Sequence, residues 1–71
     1  MNRINPVKLH HSKWTAIKPT NREMHFLVTE IEFEEDGSVA LCILEAVLNK
    51  KEYRIDWTEL KDSDKWQQGW K

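Results

Sequence analysis

The chain has 71 residues, 39% of them hydrophobic and 32% charged, with four tryptophans, one cysteine and a formal charge of −1. That length excludes a second independently cored domain, so residues 1–71 are read as one small domain whose core rests on a few large apolar side chains. The near-neutral balance excludes the global field of a general nucleic-acid binder, no run approaches the ~18 apolar residues of a membrane span, and the lone Cys42 has no intramolecular disulfide partner. The first residues, Met1-Asn2-Arg3-Ile4-Asn5-Pro6, lack the apolar centre of a signal peptide, which makes a cytoplasmic location the default expectation.

Charge is distributed unevenly along the chain. Arg3, Lys8, Lys13, Lys18 and Arg22 face only Glu23 in the first 25 residues, whereas residues 26–49 hold six acids and no base. Opposite charges on neighbouring strands stabilise a sheet, so this asymmetry is first a folding feature and only second a means of steering a partner.

Taken in order, Asn5-Pro6 combines a capping side chain with a proline at the first helical position, which predicts a short turn over Pro6 to His10. Ser12 to Ile17 has the β-branched and aromatic content of a strand, closed by Pro19-Thr20-Asn21. From His25 to Glu34 the chain alternates, which puts Leu27, Thr29, Ile31 and Phe33 on one face and Glu30, Glu32 and Glu34 on the other. Asp36-Gly37 marks a hairpin, and a three-residue loop over Glu35, Asp36 and Gly37 pairs Phe33 with Val39, Ile31 with Leu41 and Thr29 with Ile43.

The third strand, Val39 to Leu48, is apolar on both faces except at Glu45, as in a strand covered above and below. Asn49-Lys50-Lys51 turns the chain into a fourth strand, Glu52 to Trp57. In the tail, Asp62, Ser63 and Asp64 are natural caps for a short helix through Trp66, and Gly69 stands where a helix would stop. The predicted fold is therefore mostly β: a four-stranded antiparallel meander, twisted toward a small open barrel, with a short N-terminal turn and a C-terminal helix or irregular tail over its second face.

The chemistry-bearing residues are sparse. His10, His11 and His25 have no cysteine or histidine partner at zinc-ligand spacing, and His10 and His11 would point to opposite faces of a strand. Ser12 and Cys42 lie in no nucleophile motif, and Gly37 is isolated from any phosphate-binding glycine loop. No catalytic, metal or cofactor residue is assigned, and a chain this small has little bulk for an enzymatic pocket. Glu45 sits within Cys42-Ile43-Leu44-Glu45-Ala46-Val47-Leu48 and, if buried, requires a partner such as Lys13, His25 or Arg54 in an ion pair. Lys13-Trp14 and Arg54 with Trp57 bring cations beside aromatic rings, which makes these four the candidate interaction surface.

With these residues in view, the chain resembles a family of small bacterial tryptophan-rich conserved proteins whose domain has no assigned function. The resemblance rests on Ser12-Lys13-Trp14-Thr15-Ala16, His25-Phe26-Leu27-Val28-Thr29, Leu44-Glu45-Ala46-Val47, Asp56-Trp57 followed by Glu59-Leu60-Lys61-Asp62, and the terminal Trp66 with Gly69-Trp70. It spans nearly the whole chain and implies a stand-alone domain, with no activity, ligand or catalytic residue to carry over. The function expected from the residues is a non-enzymatic protein-interaction module, homodimeric through an edge strand in one form. The alternative is RNA or single-stranded DNA binding by the basic N-terminal third with Lys13, Trp14 and Arg54.

Overall fold

A computed structural model describes the whole chain, Met1–Lys71. The backbone forms five strands: β1, Lys13–Thr20; β2, Glu23–Phe33; β3, Val39–Ala46; β4, Glu52–Arg54; and β5, Trp66–Gln68. They make one antiparallel sheet in the order β4-β3-β2-β1-β5, with β4 and β5 as unjoined edges, so the sheet is open. Two 3-10 turns, Pro6–Lys8 and Trp57–Lys61, are the only helical elements.

The first four strands follow the expected meander, with β4 shorter than predicted. The tail departs from it. Trp66 is not the end of a helix capped by Asp62 to Asp64; it opens β5, which pairs antiparallel with β1 through Trp14↔Gln68, Thr15↔Gln67 and Ala16↔Trp66. The helical turn lies earlier, at Trp57–Lys61, where Asp56 and Glu59 form a reciprocal capping box that ends the fourth strand after Arg54. The outer edge of β1 supplies the physical reason: it would otherwise present unpaired backbone groups beside the largest core side chain, and a three-residue strand satisfies them.

One face of the sheet carries the core. Leu9, Trp14, Phe26, Val28, Cys42, Leu44, Ala46 and Leu60 form a single buried cluster, with Ile4, Ala16, Ile31, Val39, Tyr53, Ile55, Trp57 and Trp66 packed around it. The N-terminal segment and the second 3-10 turn cover this front face through Leu9 and Leu60. The other face has no second layer. Leu27, Leu41 and Ile43 are half-buried there, and Leu48, beyond the end of β3, is 65% exposed. The expectation that the third strand is covered above and below is thus corrected.

Two bulges decide which residues reach the core. The loop Glu35-Asp36-Gly37 forms as expected, with Gly37 at φ 89°, the Glu34 N–H donating to the Ser38 carbonyl (2.7 Å), and Phe33 opposite Val39. Ala40 is then an extra residue on β3, so Leu41 pairs with Glu32 and Cys42 with Ile31; Thr29 is an extra residue on β2, after which Val28 pairs with Leu44. The predicted pairs Ile31 with Leu41 and Thr29 with Ile43 are each off by this one-residue shift. The bulges let Phe26 and Val28 on one side of Thr29, and Ile31 on the other, all contribute to one core, where strict alternation would have put Glu30 there instead. Thr29 Oγ1 is left buried without a hydrogen-bond partner at the bulge.

The N-terminal turn forms as predicted, with Asn5 accepting from the Val7 N–H (3.1 Å) and proline at its first position. The terminal segments are tied to each other and to the sheet. The Asn2 amide donates to the Leu60 and Trp66 carbonyls at 2.8 Å each, Gln68 Nε2 donates to the Arg3 carbonyl (2.8 Å), and the Thr15 hydroxyl donates to the Gly69 carbonyl (2.6 Å). Trp70 is 44% exposed and lies against the sheet with its Nε1 donating to the Phe26 carbonyl (3.0 Å). Truncation after Asp64 removes β5 and both terminal tryptophans from a domain whose total stability is on the order of 4–10 kcal/mol, of which burying one large side chain contributes roughly 1.5–3 kcal/mol. The truncated chain is expected to lose cooperative thermal unfolding by near-ultraviolet circular dichroism; a sharp melt near that of the full chain would refute a structural role for β5.

Candidate functional site

Two depressions open in the surface, one at the edge of the sheet and one over its core side, and each arises where a strand pairing stops early. β4 pairs only with Ile43, Leu44 and Glu45 of β3, which leaves Val39–Leu41 with no strand on their outer side. Beside this free edge runs a groove of about 690 Å³, lined by Val39 to Cys42 from β3 and by Arg54, Ile55, Asp56 and Trp57. Its floor is fixed by the Ile55 N–H donating to the Cys42 carbonyl (3.0 Å). Asp56 is committed to the 3-10 turn, accepting from the Thr58 N–H (3.0 Å) and hydroxyl (2.7 Å), and these bonds hold its carboxyl below its ordinary value. Lys61 Nζ lies 4.6 Å from the centre of the Trp57 ring and covers one side of it.

The second depression lies between β1 and β4. β1 and β2 pair at Thr15↔His25 and next at Thr20↔Glu23, so most of the second half of β1 bows away from β2, and Asn21 and Arg22 close the hairpin with φ of 54° and 63°. The resulting cleft of about 540 Å³ has Phe26, Leu44 and Ile55 at its base, with Tyr53, Trp66, Lys18 and Lys65 among its walls. Glu23 belongs to the same cleft. It is only 4% exposed, and its carboxylate accepts from the Tyr53 hydroxyl (2.7 and 2.9 Å to its two oxygens) and from Asn49 Nδ2 (2.9 Å). The Tyr53 and Asn49 hydrogen bonds hold the Glu23 carboxyl below its usual range, with Lys51 adding a smaller push in the same direction against burial. The same bond raises the Tyr53 hydroxyl above its ordinary value.

The four candidate interaction residues do not form one surface. Trp14 is 2% exposed, at the centre of the core, with its Nε1 donating to Ser12 Oγ (2.8 Å), so it is a folding residue and not an exposed platform. Lys13, next to it on the strand, points to the opposite face and sits 4.8 Å from the centre of the Trp70 ring. Arg54 and Trp57 alone are brought together, both lining the groove at the edge of β3. Glu45 is half-buried, opposite Leu27 on one side and Glu52 on the other, so a like charge and not a base is its neighbour in register. His10 and His11 share a turn and stack at 3.8 Å, His10 Nε2 donating to the Thr29 carbonyl (3.1 Å), and His25 Nε2 donates to the Lys71 carbonyl (3.0 Å). No group of three or more His, Cys, Asp or Glu side chains converges as a metal site. Cys42 is buried, and desolvation with the nearby Asp56 charge pushes its thiol above the ordinary value, away from nucleophilic reactivity.

Residues 12–71 match the family described as Tryptophan-rich protein (DUF2389). The chain belongs to that family. No curated protein and no solved structure matches it. In this DUF2389 chain the four tryptophans have four different situations: Trp14 in the core, Trp57 in the groove, Trp66 in the wall of the cleft and Trp70 against the sheet's outer face. The family match therefore takes in all of β1 to β5 and both depressions.

The Glu23–Tyr53–Asn49 cluster went unmarked in the sequence because Glu23 lies 26 residues from Asn49 and 30 from Tyr53 and meets them only through the pairing of β2, β3 and β4. Its one legible trace is the acid immediately after a turn and before an apolar strand. The cluster makes stability depend on pH in a defined direction. Folded Glu23 releases its proton more readily than unfolded Glu23, so below about its ordinary value of 4.5 the unfolded chain binds more protons and stability falls as pH drops through the folded pKa. The Tyr53 hydroxyl has the opposite sign, and its contribution is lost as pH rises past 10.0 through its raised folded pKa. Denaturant titrations from pH 3 to 7 are expected to show a shallower acid loss in Tyr53→Phe than in the native chain; identical slopes would contradict the coupling.

Proposed function

We propose that this DUF2389 domain is a non-enzymatic protein-interaction module that receives an extended segment of a partner protein along the free edge of β3. The observation that carries the reading is the mismatch between the eight residues of β3, Val39–Ala46, and the three of β4, Glu52–Arg54. An added strand would continue the sheet at Val39–Leu41 by main-chain hydrogen bonds, the general mode of edge-strand recognition. The groove beside that edge supplies side-chain selectivity. Leu41, Ile55 and Trp57 offer apolar contact, and exposed Arg54 offers a guanidinium to a carboxylate, while the only acid of the groove, Asp56, is occupied in capping. The favoured occupant is thus an extended segment carrying an apolar residue and an acidic one.

Nucleic-acid binding draws less support from the same geometry, since Trp14, the ring that reading relies on, is buried in the core, and Lys13 on β1 and Arg54 on β4 are separated by the two strands β2 and β3. An interaction module of this kind also accords with the location expected of it, a cytoplasmic one, and with the absence of any helix long and apolar enough to cross a membrane.

The experiment is an affinity capture from native cells at low and moderate salt with nuclease present, followed by hydrogen exchange of the domain with each captured protein. Protection is expected at Val39–Leu41 and Ile55–Trp57, and Arg54→Glu or Trp57→Ala is expected to weaken binding roughly tenfold or more, as central Arg and Trp anchors do. Protection elsewhere, or capture abolished by nuclease or salt, would overturn the reading in favour of another surface or of nucleic acid. A dimer in sedimentation of the isolated domain, protected at the same edge, would make the occupant a second copy.

A further inference from the structure

The cleft between β1 and β4 has a composition that the β3 edge reading does not use. Its base is Phe26, and two aromatic rings stand against it edge-on: Trp66, with ring centres 5.2 Å apart and planes at 83°, and Tyr53, at 6.3 Å and 62°. Phe26 is thereby flanked by an indole from β5 and a phenol from β4, strands at opposite edges of the sheet, so the three rings form an angular recess rather than a flat stack. Trp66 and Tyr53 are only half-buried and keep ring surface open to the cleft.

Beside the rings lies Glu23, a carboxylate more than nine-tenths buried. Its hydrogen bonds come from neutral donors, Tyr53 and Asn49, which satisfy its oxygens without cancelling its charge. Glu59 and Asp64 add two more carboxylates to the lining, against the two exposed lysines Lys18 and Lys65, so the cleft is negative by one charge. A negative charge held beside several aromatic faces is the arrangement that attracts a weakly hydrated organic cation: the rings act through their quadrupoles, the carboxylate through its charge, and neither demands a hydrogen-bond donor from the ligand. A strongly hydrated metal ion would instead need several oxygens converging at short distance, and no such group is present.

We propose that the Phe26–Tyr53–Trp66 recess with Glu23 binds an alkylated ammonium group. The group can be carried by a free small molecule or by a methylated lysine side chain, since both present the same charged, apolar head. This site shares only Ile55 with the groove at the β3 edge, so either reading stands if the other falls.

The test is a nuclear magnetic resonance titration of the intact domain with tetramethylammonium and, in parallel, with tert-butyl alcohol, an uncharged molecule of nearly the same size and shape. Tetramethylammonium is expected to shift the Trp66 indole and Tyr53 resonances saturably, with the neutral probe at least tenfold weaker. Glu23→Gln is expected to lower affinity for the cation about tenfold, with its thermal midpoint measured alongside; where that variant is unfolded, the comparison of charged and neutral probes on the native chain decides. Choline and a trimethyl-lysine peptide, set against the same peptide unmethylated, separate the two sources. No saturable shift with any ammonium probe, or equal binding of the neutral isostere, would overturn the proposal.

Discussion

The burial of Trp14 between two neighbours of β1 is the interaction on which the rest of this domain depends. An indole in a core of only eight buried residues, on a strand next to the edge of the sheet, must be sealed on every side. β2 seals one flank through Phe26, Leu9 and Leu60 close the front, and β5 returns from the far end of the chain to occupy the other edge of β1. The short range of β5 is enough because it is reinforced by side-chain bonds from Asn2, Thr15 and Gln68, which tie both ends of the chain to the same edge. Ser12 completes the arrangement by accepting from the indole N–H, so the largest core residue leaves no polar atom unpaired.

A domain of this size can core only one face of its sheet, and the two bulges are the means by which it does so. Residues of β2 read outward from the hairpin loop put Ile31 inside, whereas those nearest β1 put Val28 and Phe26 inside, and a strand of unbroken alternation cannot satisfy both. Thr29 and Ala40 absorb the difference and restore the original register beyond them. Local chemistry made the hairpin loop, the Asn5 cap and the existence of four strands legible in the sequence, because Asp36-Gly37, Asn5-Pro6 and alternating apolar residues act within a few positions. The bulges were not legible, since they answer a conflict between two distant parts of one strand. The expectation that Leu27 shares one face with Ile31 failed for that reason.

The same distinction separates the parts of the candidate sites. Arg54 and Trp57 lie three residues apart around a capping box, so their meeting could be anticipated from sequence. Trp14 looked identical in kind to Trp57, a tryptophan beside a cation, and only its position on an inner strand makes it core. Tail residues were misread because Asp62-Ser63-Asp64 are as suited to a turn before a strand as to a helix cap, and the need of β1 for an outer partner is a tertiary demand. Glu23, Tyr53 and Asn49 come from three separate segments and share no local pattern. Both depressions follow from economy of pairing: β4 stops at Arg54 because Asp56 begins a 3-10 turn, and β1 leaves β2 after Thr15, exposing one stretch of free edge and one aromatic cleft.

The most direct test of this account is the conformation of the tail in solution, measured by backbone chemical shifts and cross-strand nuclear Overhauser effects on the intact chain. The account predicts extended shifts over Trp66–Gln68 and a contact between the backbones of Trp66 and Ala16, with slow exchange of the amides on the shared edge. Helical shifts from Ser63 through Trp66, with no contact to Ala16, would contradict it and leave the outer edge of β1 without its strand.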